Sequence, residues 1–279
     1  MLPLLEQKTD RSFQQTVAHE MREWESEMRA QSEVAYDDGV NPRRVIQAVN
    51  DRLPDGVTVT ADAGTTADWY GHHIRLREGM RGDMSGRLAT MLAAMLAAMP
   101  YAVTAKFAFP DRPAVCTIGD GAFQMLGMNE LITVKKYLAA WPNQQLVIVV
   151  MHNDDLGQVS WEMRTEDGNP MWRGSQDVES IDYAGYATLL GFQGIAVHED
   201  SEVEAAVERA FAHQGVTLID AYVSRSVPPL PPHITKEYAI NTAKSLLKGD
   251  PVEFDVVKDS AKAMATEVTE RVKGALGRD

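Results

Sequence analysis

The run "QQLVIVVMH", residues 144–152, is continuously apolar and rich in β-branched side chains. It does not alternate between apolar and polar positions, so both of its faces must be covered, as a parallel strand inside a sheet flanked by helices requires. The rest of the chain fits that demand. Candidate strands lie at Val57 to Ala61, Ala114 to Ile118, Leu146 to His152, Gly194 to Val197 and Val216 to Val223, with helical patterns between them. This alternation predicts an α/β fold: a three-layer, doubly wound, mainly parallel sheet with helices on both faces. Ligands of such sheets sit at the carboxyl ends of strands, which is where functional residues are sought.

Outside this alternation lie two appendages. From Thr9 to Val34 the residues Phe13, Val17, Met21, Trp24 and Met28 recur at helical steps and draw one apolar stripe, with Asp10 or Ser12 as candidate cap. "YDDGVNP" breaks the pattern, so residues 1–40 read as a linker or docking helix. Residues 41–225 form the main domain. At residues 226–235, "SVPPLPPHIT" imposes an extended, polyproline-like path, and "KEYAINTAKSLL" and "AKAMATEVTERVKGAL" continue residues 226–279 as a helical tail. An apolar stripe without a partner in its own domain marks an interaction surface, so a homodimer or higher oligomer is expected.

Charge and cysteine usage remove several function classes. Forty acidic against 27 basic residues give a net charge of -13, which argues against nucleic acid, whose phosphates need a basic surface. The single Cys116 allows neither an internal disulfide nor a cysteine metal site, and fits a reducing, cytoplasmic compartment. "MLPLLEQKTDR" has no basic n-region or cleavage site and does not read as a signal peptide. The most apolar window, Leu88 to Val103 within "LATMLAAMLAAMPYAV", is shorter than the roughly 20 residues of a spanning helix and reads as a core helix.

Two strand ends carry chemistry. In "VCTIGDGAFQM", Gly119, Asp120 and Gly121 follow a strand and open a helix, where small residues let a phosphate approach and free amides face it. Asp120 would repel a phosphate unless a cation lies between them, and a divalent ion such as Mg2+ resolves the conflict. By itself "GDG" is also a common turn. The next strand ends in "MHNDDLGQVSW", where Asn153 offers a neutral oxygen, while Asp154 and Asp155 have a plain reading as solvated turn residues. His72 and His73 read as a solvated loop pair, and His152 as a packed or hydrogen-bonded residue. Trp161 and Glu162 could cover a ligand or simply pack their loop. No Ser, His and acid arrangement and no calcium loop is visible.

Gly119-Asp120-Gly121, a helix, and a strand ending in "HNDDLG" together resemble the binding signature of thiamine-diphosphate enzymes, in which a metal anchors the diphosphate. "TVTADAGTTADWYGHHIR", "MSGRLATM", "PYAVTAKFAFPDRPAVCTIGDGAFQM" and "VPPLPPHIT" extend the resemblance to the C-terminal domain of the pyruvate oxidase and acetolactate synthase group, nearest the pyruvate oxidase or quinone-linked pyruvate dehydrogenase type. It runs from about Pro3 to Thr235. The resemblance implies that Asp120, the side chain of Asn153 and the backbone carbonyl of Asp155 hold Mg2+. It implies that Gly64, Thr65, Thr66, Gly119, Gly121, Ala122 and Gly157 line the diphosphate, that the Ala89 carbonyl accepts from the aminopyrimidine, and that Met91 supports the bent cofactor. The implied reaction is decarboxylation of a small 2-oxo acid such as pyruvate, with transfer of the remainder to an acceptor.

In that group a pyrimidine-binding domain, usually on another chain, supplies the acid-base glutamate, and a central domain holds FAD in the oxidases. This sequence resembles only the third domain and its linker, so the expectation is a cofactor-binding domain that is inactive without a pyrimidine-binding partner. The alternative is a degenerate, non-catalytic assembly module; attachment to a membrane surface is a third and less favoured reading. Three departures surround the pocket. "LAAMLAAM" lacks the glycine usual before "PYA", which leaves Met91 and Met95 both matching the cofactor-supporting position, Thr104 replaces a smaller residue, and Thr117 replaces an apolar one.

Overall fold

The computed structural model describes residues 9–84, 97–229, 236–251 and 253–275. Six strands, β1 (Thr58–Ala61), β2 (Arg81–Met84), β3 (Ala114–Gly119), β4 (Leu146–His152), β5 (Gln193–Val197) and β6 (Val216–Tyr222), form one all-parallel sheet in the order β2-β1-β3-β4-β6-β5. The apolar run occupies β4, between β3 and β6, and every one of its residues is buried.

Alternation along β4 divides the core in two. Val147, Val149 and Met151 face a cluster that includes Val45, Ile46 and Val49 of α2 (Pro42–Arg52) and Val203 and Val207 of α8 (Val203–Ala212). Leu146, Ile148 and Val150 face Met99 and Ala102 of α4 (Ala98–Ala108), Leu131 and Val134 of α5 (residues 120–137), and Tyr183 of α7 (Tyr183–Leu189). Burial of each such side chain contributes about 1.5–3 kcal/mol, and covering both faces gives the expected three layers. Helix α5 starts at Asp120–Ala122, widens to a π turn at Phe123–Gly127 and resumes at Met128–Tyr137. Helix α3 is Thr65–His73, and α6 is Gly157–Glu162 running into a π turn at Met163–Asp167.

Strand β2 has no counterpart in the sequence reading. Its residues, Arg-Gly-Asp-Met, are all exposed, and it pairs only with β1 at the sheet edge. A short, polar edge strand has no buried face and leaves no apolar periodicity to detect.

The N-terminal helix α1 (Ser12–Ser32) divides its own stripe. Asp10 accepts the Ser12 amide at 2.9 Å at its start. Met28 is buried and Trp24 half-buried, with the indole donating to the His72 carbonyl at 3.1 Å, whereas Phe13, Val17 and Met21 remain exposed. This docking corrects the expectation of a solvated histidine pair. The His72 ring meets Trp24 and Trp69 edge-on, and His73 is buried with Nδ1 3.1 Å from Gln47 Oε1. Burial pulls His72 down to about 4 and His73 to about 3, so both are neutral.

The tail is pinned to the loop that follows α6. In α9 (Lys236–Leu247), Asn241 donates to the Thr165 and Glu166 carbonyls, and beyond it Asp250 accepts from Arg164 Nε at 2.8 Å and Nη2 at 3.1 Å, both side chains being buried. Helix α10 (Glu253–Ala275) runs beside α1, where Gln31 donates to the Ala263 carbonyl. Among the described residues no helix is long and apolar enough to cross a membrane. The Met91 and Met95 alternatives lie outside the described residues. Thr104 is exposed on α4, and Thr117, buried in β3, donates to the Thr60 carbonyl at 3.3 Å, which satisfies its hydroxyl.

Candidate functional site

From β1 the chain passes first to β2 on one side and then to β3 on the other, so the crevice between β1 and β3 is the switch point of the sheet. Asp62 directly follows β1, and its Oδ2 accepts the amide of Gly119, the last residue of β3, at 3.0 Å. Asp120 then bridges β3 to β4. Its Oδ1 accepts the Gly121 amide at 2.8 Å, and its Oδ2 accepts the Asn153 and Asp154 amides at 2.9 and 2.6 Å.

Ten of the expected positions line one narrow cleft: Gly64, Thr65, Thr66, Gly119, Asp120, Gly121, Ala122, Asn153, Asp155 and Gly157. Ala89 and Met91 lie outside the described residues. Helices α3 and α5 open on this cleft with no side-chain bond at their N-caps, and in α5 the Gly121 amide is taken by Asp120 Oδ1. The glycines keep the cleft clear. A Cβ on Gly121 would stand 2.7 Å from Leu156 Cδ2, and one on Gly157 would stand 3.1 Å from Asn153 Nδ2.

The cleft is acidic. Asp62, Asp120 and Asp155 line it, and no lysine or arginine does so among the described residues. Burial pushes Asp120 up to about 6, against the opposing hydrogen bonds from Gly121, Asn153 and Asp154. Burial pushes Asp62 further, to about 7, against the Gly119 amide and with the Asp120 charge adding to the rise. Asp62 Oδ1, Thr66 Oγ1, Asp155 Oδ2 and Gln158 Oε1 are buried without a hydrogen-bond partner. These unmet groups are all oxygens, the ligand type that suits a hard divalent cation.

The arrangement refines two expectations. Asn153 Oδ1 already accepts the Asp155 amide at 3.1 Å, which holds that oxygen in place and leaves its second lone pair for a cation. The Asp155 side chain turns to α6, with Oδ1 accepting from Ser160 at 2.7 Å, so it is a buried residue rather than a solvated turn. Trp161, on α6, is buried against the Arg164 guanidinium, 5.2 Å from the ring centroid.

Two features escaped the sequence reading. The first is Asp62, for which the only signal is that "TADAG" places an acid at the end of strand β1, where such sheets bind ligands. The second is a buried acid on His152. Its Nδ1 lies 2.8 Å from Asp220 Oδ1, and no local signal joins residues 68 positions apart.

Comparison with known proteins agrees with this geometry. The profile described as "Thiamine pyrophosphate enzyme, C-terminal TPP binding domain" matches residues 62–221, more than half of the chain. YdaP of Bacillus subtilis (strain 168), named as a thiamine pyrophosphate-containing protein, is 27% identical over 244 residues, covering 88% of this chain and 40% of that protein. The acetolactate synthase isozyme 2 large subunit of Escherichia coli (strain K12) is 26% identical over 213 residues, covering 74% of this chain and 37% of its own. Among solved structures, a Rhodococcus jostii RHA1 thiamine diphosphate-dependent 4-hydroxybenzoylformate decarboxylase shares the fold, with a TM-score of 0.56 at 22% identity over 68% of this chain and 34% of that one. The chain thus spans 40% or less of the length of these relatives. With the switch-point cleft, its glycine cradle and the matched profile in agreement, the chain belongs to the thiamine pyrophosphate enzymes, as their C-terminal TPP-binding domain.

Proposed function

We propose that the cleft binds thiamine diphosphate through Mg2+. Asp120, the Asn153 side-chain oxygen and the Asp155 backbone carbonyl hold the metal, and the backbone around Gly64, Thr65, Thr66, Gly119, Gly121, Ala122 and Gly157 holds the diphosphate. The observation that carries this reading is the Asp62 and Asp120 carboxyl groups meeting at a glycine-walled cleft with no lysine or arginine among its described lining residues. An anion enters such a place only with a cation between. The three amides on Asp120 keep its carboxylate aimed and favour its charged form.

In this reading residues 41–225 are the cofactor-binding unit, and residues 1–40 and 226–279 are its linker and tail. When bound, the cofactor supplies the nucleophilic carbon that attacks a 2-oxo acid such as pyruvate. This chain contributes the metal grip, the diphosphate cradle and one wall of the pocket. The acid-base glutamate comes from a pyrimidine-binding domain on another chain, so the chain alone, working in the cytoplasm, is inactive as a decarboxylating oxidase or synthase. The exposed Phe13, Val17 and Met21 support an oligomer.

Calorimetry with thiamine diphosphate tests the binding: heat is expected only with Mg2+ present, and no heat even with a supplied pyrimidine-binding domain overturns the reading. Turnover of a 2-oxo acid is expected on mixing with such a domain, and persistent inactivity of a cofactor-loaded mixture would favour the assembly module. Light scattering at micromolar concentration is expected to show a dimer or larger species, against which a monomer would count.

A further inference from the structure

We infer that His152 and Asp220 form a buried positioning pair that sets the loop holding Asp120; the inference rests on the metal role proposed for Asp120. The argument starts at Asp154. Among the described residues it is the one non-glycine residue at positive φ, 54°. A left-handed backbone at an aspartate is unfavourable unless the surroundings fix it. That conformation lets the successive amides of Asn153 and Asp154 converge on one oxygen, Asp120 Oδ2, at 2.9 and 2.6 Å. Without it, this two-amide grip opens.

Asp154 is held by His152. The imidazole Nε2 stands 2.9 Å from Asp154 Oδ1 and 3.2 Å from Ser180 Oγ, and Nδ1 stands 2.8 Å from Asp220 Oδ1. Asp220 is itself fixed, because its other oxygen accepts the Tyr183 and Ala184 amides at 3.1 and 3.4 Å at the start of α7. Tyr183 and Tyr222 close on the ring at centroid distances of 4.8 and 4.2 Å, and His152 and Asp220 are both buried. A rigid path therefore runs from α7 through Asp220 on β6 and His152 at the end of β4 to Asp154 and the Asp120 carboxylate.

A histidine serving only as core filler would not need a carboxylate at each ring nitrogen. An apolar side chain could fill the volume, but it would leave the buried Asp220 Oδ1 without the imidazole, since the α7 amides reach only Oδ2. What the imidazole adds is the bond that holds Asp154. Partners that orient a metal ligand are worth ~10–100-fold in metal affinity when removed.

The test uses the full chain and two readouts, amide hydrogen exchange at Asn153 and Asp154 and calorimetric affinity for Mg2+ with thiamine diphosphate. His152→Leu is expected to speed exchange at both amides and to weaken binding ~10-fold or more. Adding Asp154→Gly, which reaches positive φ without strain, is expected to recover most of both losses. Unchanged exchange and affinity in His152→Leu would overturn the inference, as would a loss that Asp154→Gly does not recover. Should His152→Leu fail to fold, the comparison of Asp154→Ala with Asp154→Gly decides: the alanine is expected to loosen the loop and the glycine to keep it, and equal behaviour overturns the inference. If the parent chain binds no cofactor, the proposed function falls, whereas the exchange data still decide whether the pair sets the loop.

Discussion

The Asp62 carboxylate accepts the Gly119 amide at 3.0 Å, stitching the carboxyl ends of two neighbouring strands at the point where the winding of the sheet reverses. It thereby places a second buried acid beside Asp120, whose charge adds to the rise of the Asp62 pKa. The cleft thus stores an electrostatic conflict that a proton or a cation relieves.

That conflict has a pH signature. Asp62 is pushed from 3.8 to about 7 by burial, so between these values the folded chain keeps a proton that the unfolded chain has lost. Stability from this source is full below about pH 4 and is lost as pH rises through about 7, an effect on the order of 4 kcal/mol. Thermal unfolding of the metal-free chain at pH 5 and pH 8 is expected to show Asp62→Asn gaining on the parent as pH rises. Parallel pH profiles would refute it.

Asp120→Ala leaves three amide donors without their acceptor. Each such loss costs about 1–3 kcal/mol where the donor becomes buried and unpaired. A destabilisation of about 2–5 kcal/mol by urea unfolding is expected, together with loss of the Mg2+-dependent heat of cofactor binding.

Gly121→Ala separates cradle from fold. The new Cβ meets Leu156 Cδ2 at 2.7 Å, the far end of a side chain that can turn away. Stability is expected to fall by only about 1 kcal/mol, while the displaced leucine narrows the cleft and weakens cofactor binding by about tenfold or more. Calorimetry beside a melting curve distinguishes the two effects, and unchanged affinity would show that the cradle is not used.

Asp250→Ala strands the buried Arg164 guanidinium. Breaking a buried pair on one side costs about 3–5 kcal/mol. The loss is expected in denaturant unfolding, together with faster hydrogen exchange across residues 163–172, which Arg164 and the Met171 amide tie to Asp250.

Particular elements show how far the sequence reaches. The apolar run at Leu146–His152 announced a central parallel strand because burial on both faces writes an apolar signal into neighbouring positions, and the sequence pattern also marked the helix Lys236–Leu247. The glycines and acids at the ends of β3 and β4 were legible for a similar reason: strand ends are where an α/β sheet binds ligands.

What the sequence by itself determined was therefore the layered fold, its central strands and one half of the cleft. Tertiary structure alone decided the edge strand β2, the docking of Trp24 on His72, and the pairs Asp62 with Gly119, His152 with Asp220 and Arg164 with Asp250. The physical reason is that periodicity is a property of adjacent residues, whereas these contacts join distant ones. Strand order and register bring the strand-end pairs within hydrogen-bond reach, and the docking of the terminal helices brings the rest.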